Sequence, residues 1–365
     1  MRILLLTLII LAIIAYLIMD IRELGKAPSG ERLELIKKSP NYKDGKFDNL
    51  NFTPQFSEGY SGFKVMTDFI FRKVPRRTPA DLIPSVKTDL KNLPSNENVL
   101  IWFGHSSYFM QIDGKRFLVD PVLSGNASPV KGMIKAFAGS DIYSAEDLPE
   151  IDYLLITHDH YDHLDYKTIV NLKSKVGMVI CGLGVGSHLE YWGYNPSRII
   201  EKDWFESVEP EEGFTLHVTP TRHFSGRNIW RNNTLWVSFV LQTPSLRIYI
   251  GGDSGYDTHY AEIGEKYGPF DLAIIENGQY NQAWRYIHNL PEEALKAARD
   301  LGAKRLLPVH AGKFALGKHS WDDPFIQISE LNKTFNIPLV TPIIGEPVNL
   351  SNIPDSFKPW WVGLK

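Results

Sequence analysis

Cysteine is nearly absent from this chain, since Cys181 is the only one among 365 residues. An intrachain disulfide and a cysteine-rich zinc site are therefore excluded. An excess of charge of one sign is also lacking, because the formal net charge is −3 at pH 7, so a broad nucleic-acid-binding surface is not expected. Against the single cysteine stand eleven histidines. Any transition-metal site must consequently use histidine and carboxylate ligands.

The longest apolar run lies at the N-terminus, over residues 3–19, and only Thr7 interrupts it. As a helix this run would rise about 25 Å, the low end of what crosses a bilayer. We expect a retained membrane anchor over residues 1–22. A cleaved signal peptide is the alternative, although no small-residue cleavage site follows the run. A buried core helix fits less well, because every face of the segment is apolar. The flanking charges leave the membrane orientation open.

The remaining chain changes character at about residue 95. Residues 23–95 are polar and show no sustained period, which predicts an approach segment that packs on the main domain. Within it, the basic residues Arg72, Lys73, Arg76 and Arg77 fit either a membrane surface or a solvated loop. From residue 96 to 365, short apolar runs alternate with helical patterns, as in a layered α/β domain.

Several of these runs end abruptly in a residue that can bind metal. The runs are YLLIT (153–157) before His158, FTLHVTP (214–220) before His223, RIYIGG (247–252) before Asp253 and KRLLPV (304–309) before His310. This recurrence predicts one site along one edge of packed sheets. Two further predictions are a meander over residues 98–120 with a turn at Asp113-Gly114, and a helix over residues 291–301 that starts at Pro291.

The most specific pattern is H-x-H-x-D-H, formed by residues 158–163. Alternate residues of an extended segment share a face, so His158 and His160 can bind one metal ion. After the chain turns, Asp162 and His163 can bind a second. Imidazole nitrogen and carboxylate oxygen both suit zinc.

With this motif and these strand ends, the sequence resembles the metallo-β-lactamase superfamily over about residues 95–345. The resemblance implies a mixed α/β (α+β) fold, a four-layer αββα sandwich, here with an N-terminal apolar helix. It also implies two Zn²⁺ ions per chain, with iron or manganese as alternatives. The implied ligands are His158, His160 and His223 for the first ion and Asp162, His163 and His310 for the second, with Asp253 shared. True β-lactamases have a zinc-binding cysteine that has no counterpart in this chain, because Cys181 lies upstream of the later ligands. Antibiotic hydrolysis is therefore not expected.

Four stretches are similar to the N-acylphosphatidylethanolamine-hydrolysing phospholipase D branch and its bacterial relatives. They are residues 102–124, 156–165, 251–256 and, taken together, 287–295 with 307–316. This resemblance implies a dinuclear zinc phosphodiesterase of phospholipase D type, in which a hydroxide bridging the two ions attacks phosphorus. The expected partners are a phospholipid substrate and a membrane, and no nucleic acid. The ENGQY segment (276–280) differs from the animal enzymes, so a hydrolase of a soluble lactone or cyclic phosphodiester remains the alternative.

Further residues are expected to act beside the ligands. Asp162 and His288 are expected to act in catalysis, and His288 to contact the phosphate or the leaving oxygen. A role in contacting substrate or in supporting a ligand is expected for His105, Asp159, Asn277, Gln279 and Trp284. For His105 a packed structural role is an equal alternative, and for Asp159 so is an exposed position.

Overall fold

The computed structural model describes residues 21–365, except for the side chain of Phe69. The predicted apolar helix at the N-terminus lies outside the described residues. Within residues 21–365, no helix is long and apolar enough to cross a membrane. The described chain begins with a short hairpin of β1 (Tyr42–Lys43) and β2 (Lys46–Phe47), and the remaining strands form two sheets.

The first sheet has seven strands. They are β3 (Val99–Trp102), β4 (Tyr108–Ile112), β5 (Lys115–Val119), β6 (Ile151–Ile156), β7 (Val176–Gly182), β8 (Ile199–Lys202) and β15 (Pro347–Asn349). Their spatial order is β15-β3-β4-β5-β6-β7-β8. The strands from β15 to β5 pair antiparallel, and those from β5 to β8 pair parallel.

The second sheet has six strands. They are β9 (Ser207–Glu211), β10 (Phe214–Thr219), β11 (Ser238–Gln242), β12 (Arg247–Ile250), β13 (Leu272–Glu276) and β14 (Leu306–Val309). Their order is β14-β13-β12-β11-β10-β9. Strands β12, β13 and β14 are parallel to one another, which brings their carboxyl ends to one edge.

The described residues contain seven α-helices, most of which pack on the outer faces of the two sheets. They are α1 (Gly30–Ile36), α2 (Gly62–Phe71), α3 (Tyr166–Leu172), α4 (Gly186–Tyr191), α5 (His259–Tyr267), α6 (Pro291–Asp300) and α7 (Asp323–Phe335). Helix α6 starts at Pro291, and the Glu293 side chain accepts a hydrogen bond from the Leu290 amide at 3.0 Å. Short 3₁₀ turns connect other elements, among them Gln282–Trp284.

Strand β4 shows how the layers are packed. Tyr108, Met110 and Ile112 point into the core between the two sheets, whereas Phe109 packs in the outer cluster that also contains Ile169 of α3. Successive side chains of a strand point to opposite faces, and both faces of β4 are buried, so the strand is apolar except for Gln111. Tyr249 of β12 packs in a third cluster with residues of α5 and α6. The order of layers is helix, sheet, sheet, helix, which confirms the four-layer prediction for the described residues.

The predicted meander is present as β3, β4 and β5, with the turn at Asp113-Gly114. The predicted helix over residues 291–301 is α6. These elements were predictable because their signals are local: short apolar runs, a turn dipeptide and a proline at the first helical position.

Candidate metal centre

Four strands from the two sheets end at the same place, each just before a predicted metal ligand. Strand β6 precedes His158, β10 precedes His223, β12 precedes Asp253 and β14 precedes His310. A loop has the freedom to aim a side chain that a strand interior lacks, while the packed strands hold its ends. The carboxyl ends of these strands therefore build a polar cluster on a rigid frame.

The first group of ligands consists of His158, His160 and His223. His158 Nε2 lies 2.9 Å from His160 Nδ1, and that Nδ1 lies 3.3 Å from His223 Nε2. Two donors that share one zinc ion at about 2.1 Å are roughly 3.0–3.4 Å apart for bond angles of 90–109°. The spacing of the three nitrogens therefore suits a single ion.

The second group consists of Asp162, His163 and His310. Asp162 Oδ2 lies 3.3 Å from His310 Nε2 and 3.7 Å from His163 Nε2. Asp253 lies between the groups: its Oδ1 is 3.3 Å from His163 Nε2, and its Oδ2 is 3.2 Å from His310 Nε2 and 3.8 Å from His223 Nε2. The structure thus brings together all seven residues that the sequence predicted as ligands.

Two buried atoms of this cluster have no hydrogen-bond partner within the described chain, namely His163 Nε2 and Asp253 Oδ1. They face each other across 3.3 Å. Buried polar atoms are normally satisfied, and an orphaned pair calls for a specific explanation such as an ion. The five imidazoles and two carboxylates fit a divalent transition metal in donor type and spacing.

Charge points to the same conclusion. Burial opposes protonation of His310, yet Asp253, Asp162 and Glu276 outweigh it and raise the pKa of His310 to about 10. The pKa of His163 is likewise raised well above its usual range by Asp253 and Asp162, against the effect of burial. These carboxylates hold negative charge in the interior that only protons or a cation can offset.

The ligands are oriented by hydrogen bonds on their far sides. Asp120 Oδ2 lies 2.8 Å from His163 Nδ1, and the Ile287 carbonyl accepts from His223 Nδ1 at 2.8 Å. The Thr157 hydroxyl donates to Asp120 at 2.6 Å and lies 3.0 Å from His158 Nδ1. Such partners select the tautomer that points a free nitrogen at the metal. Each of these three histidines thus presents Nε2 to the cluster.

His105 is fully buried and supports a ligand. Its Nε2 lies 2.8 Å from Asp162 Oδ2, and its backbone pairs with residues 310–311. Burial lowers the pKa of His105 to about 3, so the neutral ring donates a hydrogen bond to the Asp162 carboxylate. This contact holds Asp162 while the His105 backbone holds the loop that carries His310.

Glu276 was not among the residues predicted from the sequence. It is the last residue of β13 and is fully buried. Its Oε2 lies 2.9 Å from His288 Nδ1 and 3.2 Å from His310 Nδ1, while Oε1 accepts from the Ser254 and Asn289 amides. A signal was present, because a charged residue closes an otherwise apolar strand, as at the other strand ends.

His288 lies beside the shared carboxylate, with its Nδ1 3.9 Å from Asp253 Oδ2. Its side chain is 13% exposed, as is that of Asp162, and its ring lies 5.0 Å from that of His223. Because Nδ1 is engaged by Glu276, Nε2 is the nitrogen left to meet a substrate. The structure therefore places a fixed imidazole at the open side of the cluster.

The other predicted residues lie outside the cluster. Asn277 donates to the Pro324 carbonyl at 2.8 Å, and Gln279 donates to the His310 and Phe314 carbonyls at 3.2 and 3.0 Å. Trp284 donates to the Gln279 carbonyl at 3.1 Å. The side-chain N–H groups of all three residues thus bond to backbone carbonyls, and that of Gln279 supports the backbone that carries His310.

Asp159 is buried rather than exposed, although its neighbours His158 and His160 face the metal cluster. Its carboxylate accepts from the Gly226 amide at 2.7 Å and the Thr234 hydroxyl at 2.9 Å, and lies 3.2 Å from His188 Nε2. These contacts tie the motif loop to the loop after His223. The exposed-position alternative is therefore wrong, and the residue acts by holding two ligand loops together.

A cleft of about 570 Å³ adjoins the segment that carries His288. Its lining includes Tyr60, Arg72, Arg285 and Lys318, and it extends along α6 and α7. The cleft contains none of the seven predicted ligands. The cleft is a groove that is lined by both basic and acidic side chains.

Comparison with known proteins agrees with this geometry. A model of the β-lactamase superfamily domain matches residues 115–311. An uncharacterized protein of Mycobacterium tuberculosis is 37% identical over 332 residues, which cover 89% of this chain and 88% of the relative. An N-acyl-phosphatidylethanolamine-hydrolyzing phospholipase D of Caenorhabditis elegans is 30% identical over 294 residues, covering 72% of this chain and 81% of the relative.

Among solved structures, the diiron β-hydroxylase CmlA of Streptomyces venezuelae matches with a TM-score of 0.53 and 21% identity, over 69% of this chain and 54% of that one. At this identity the likeness concerns the fold alone. The family match spans the motif loop and the strand-end ligands described above. This chain belongs to the metallo-β-lactamase superfamily as a metal-dependent hydrolase fold related to the N-acylphosphatidylethanolamine-hydrolysing phospholipases D.

Proposed function

We propose that this protein is a dinuclear zinc phosphodiesterase of phospholipase D type that acts on N-acyl phospholipids. The observation that carries the proposal is the pair of ligand groups that share Asp253, with His288 fixed by Glu276 at their open side. The nematode relative, whose name specifies that reaction, supports the substrate class. We assign the seven predicted ligands, from His158 to His310, to the two ions.

The reaction adds water across the bond between phosphorus and the oxygen of the N-acylethanolamine. Its products are therefore a phosphatidic acid and an N-acylethanolamine. The bound cations would supply Lewis-acid activation of water and of the phosphoryl group. The side chains hold the geometry: Asp162 is fixed by His105, and His288 presents Nε2 to a phosphoryl or leaving oxygen because Glu276 engages its Nδ1. Loss of Glu276 would free the His288 ring to turn away.

Zinc is the proposed metal, because imidazole nitrogens outnumber carboxylates in the ligand set. We further propose that residues 96–365 form the hydrolase domain and that residues 23–95 pack on it. Contacts of the second segment support this, since Asn49 bonds to both the amide and the carbonyl of His223, and Ser57 bonds to the Ala283 carbonyl. Residues 1–22 are proposed to attach the protein to a membrane.

The test is an assay of metal-loaded protein on vesicles that contain N-acylphosphatidylethanolamine, with release of N-acylethanolamine as the readout. The His223→Ala variant should lose both activity and metal. His217→Ala is a matched control, because His217 lies on β10 against Tyr267 and outside the cluster. If metal-loaded protein hydrolyses a lactone or a cyclic phosphodiester but releases no N-acylethanolamine, the lipid assignment is wrong.

A further inference from the structure

Helix α2 exposes its apolar stripe to solvent. Phe63, Met66 and Ile70 follow one another at helical spacing, and each is more than half exposed, Phe63 by 74%. The opposite face, which includes Val65 and Asp68, lies next to Trp284. A surface helix normally turns its apolar stripe toward the core. Phe63 therefore faces solvent, and Asp68, itself exposed, lies along the side of the helix that borders Trp284.

Two further segments expose large apolar side chains. Phe52 is 88% exposed, and Ile229 is 82% exposed next to Trp230, which is also largely exposed. Together with Phe63, Met66, Ile70 and Phe71 of α2, these three residues are called the apolar rim below. Isolated exposed apolar residues are ordinary, but a set gathered around one site marks an interaction surface.

All three segments of the apolar rim attach to the surroundings of the metal cluster. The Phe52 carbonyl accepts from Arg222 at 2.8 Å, and Arg222 directly precedes the ligand His223. The loop with Trp230 is tied to the cluster through Arg231, whose guanidinium lies 5.0 Å from the ring centroid of Phe224. Phe224 in turn contacts the ligand His160, with ring centroids 4.5 Å apart.

Helix α2 is joined to the segment that leads to His288. The Ser57 amide, just before the helix, donates to the Ala283 carbonyl at 2.9 Å. The helix then packs beside Trp284, whose carbonyl accepts from the Ile287 amide. The three segments of the apolar rim are therefore each joined to residues beside the metal cluster or on the segment that leads to His288.

The charge beside α2 has one predominant sign. Residues 61–77 contain five basic side chains and one acidic one, whereas the whole chain has a net charge of −3. The basic residues of this stretch are Lys64, Arg72, Lys73, Arg76 and Arg77. Arg76 pairs with Asp322, and Arg77 donates to the Gly317 and Ala315 carbonyls. Lys64, Arg72 and Lys73 are exposed and place positive charge next to the apolar stripe. Apolar side chains flanked by basic ones are the pattern of helices that lie in an anionic membrane surface.

The first residues of the described chain are hydrogen-bonded to the same part of the protein. Arg227 donates to the Glu23 carbonyl at 3.0 and 2.7 Å, and also to the carbonyls of Asp159 and Leu164 at 2.7 Å each. Trp192 donates to the Arg22 carbonyl at 2.8 Å. Arg227 thus fastens the residues that follow the apolar N-terminal run directly to the metal-binding loop.

We propose that the apolar rim, together with Lys64, Arg72 and Lys73, docks the mouth of the metal site onto an anionic phospholipid bilayer. The proposal rests on the proposed function in one respect, because a site pressed against the bilayer takes a substrate that is itself a membrane lipid. The rim enters the interface, and the basic side chains contact lipid phosphates. The polar reacting group then reaches the cluster while the acyl chains stay among the other lipids.

The lone buried cysteine makes a direct test practicable. Cys181 is fully buried, so a thiol-reactive fluorophore should label introduced cysteines. We would label Phe63→Cys, Ile70→Cys and Trp230→Cys in the full chain. Gln242→Cys is the matched control, since Gln242 is exposed at the end of β11 that runs away from the site. Each protein is mixed with phosphatidylcholine vesicles with and without phosphatidylglycerol, and a lipid-borne quencher reports depth.

On vesicles with phosphatidylglycerol, the three rim labels should be quenched about twofold or more and the Gln242→Cys label should not. Quenching should weaken as salt is raised, because the attraction to anionic lipid is screened. Docking is overturned if the rim labels stay in water on vesicles that carry the protein. It is equally overturned if they become buried without lipid as protein concentration rises, since the surface would then be a contact between copies of this chain.

The depth measurement requires no catalysis, so the two proposals can fail separately. A protein whose rim labels enter the bilayer but which releases no N-acylethanolamine retains the docking surface and loses the proposed function. A protein that hydrolyses the vesicle lipid while its rim labels remain in water retains the function and loses the docking surface.

Discussion

The two ligand groups of the metal centre are built from different donors. The first group offers three imidazoles, from His158, His160 and His223, whereas the second offers two imidazoles and the Asp162 carboxylate, and both share Asp253. Burial lowers the pKa of His158 and His223 well below the usual range and that of His160 to about 4. In the second group the pKa values of His163 and His310 are raised instead. The two candidate ligand groups therefore differ in the charge that surrounds them.

This difference has a physical origin in what lies behind each group. A neutral hydroxyl and a backbone carbonyl support the first group, at Thr157 and Ile287. Two carboxylates support the second, at Asp120 and Glu276. A nitrogen-rich position suits zinc, and an oxygen-rich position with more negative charge accepts harder ions such as manganese. A single protein can thus hold two adjacent ions by unequal means.

Removing the shared carboxylate should have the largest effect. Asp253→Ala takes a ligand from both positions, so we expect less than about one metal ion per chain and a loss of activity of at least about 1,000-fold. Elemental analysis and the vesicle assay measure these two quantities. Asp271→Ala, which removes a carboxylate paired with Lys304 on the surface, should keep both. Full metal content in Asp253→Ala would show that the groups are independent.

Removing one ligand from each group should separate the two positions. His160→Ala should lose zinc from the first group and retain manganese in the second, whereas His163→Ala should do the reverse, because the remaining donors differ in hardness. Each variant should hold about one ion per chain. Electron paramagnetic resonance of protein exposed to zinc and manganese together reports which metal remains. Equal manganese binding by both variants would contradict the proposed inequality.

A smaller effect is expected from the support of the second group. Asp120→Asn keeps the size of the side chain but removes the negative charge beside His163 Nδ1, so affinity at the second position should fall about 10–100-fold. Titration with a chelator, with the two metal losses resolved, measures this. An equal weakening at the first position would place the control of affinity in the shared loop instead.

The smallest effect should follow from the support of the first group. Thr157→Val removes a neutral acceptor at 3.0 Å from His158 Nδ1 and a donor to Asp120 at 2.6 Å. The buried N–H left without a partner should lower the free energy of unfolding by about 1–3 kcal/mol. The first position should bind zinc only a few-fold more weakly. Denaturant unfolding and zinc titration measure the two quantities. A loss as large as that of Asp120→Asn would remove the distinction between the supports.

The predicted ligands and strands were accessible from the sequence because their signals are short. The motif of residues 158–163 carries four donors within six positions, and His223, Asp253 and His310 each close an apolar run. The roles of Asn277 and Trp284 were less accessible, because nothing local indicates where a side chain's hydrogen bonds go. Both were expected to contact substrate or support a ligand, and their polar atoms bond to the Pro324 and Gln279 carbonyls.

The sequence by itself determined the type of donor, since a chain with one cysteine and eleven histidines can bind a transition metal only through imidazole and carboxylate. It also indicated a layered fold, because short apolar runs alternate with helical patterns along the chain. Only the tertiary structure decided that Glu276 fixes both His288 and His310, and that α2 turns its apolar stripe outward at the mouth of the site. Both depend on contacts between distant segments, which the periodicity of a single segment does not encode.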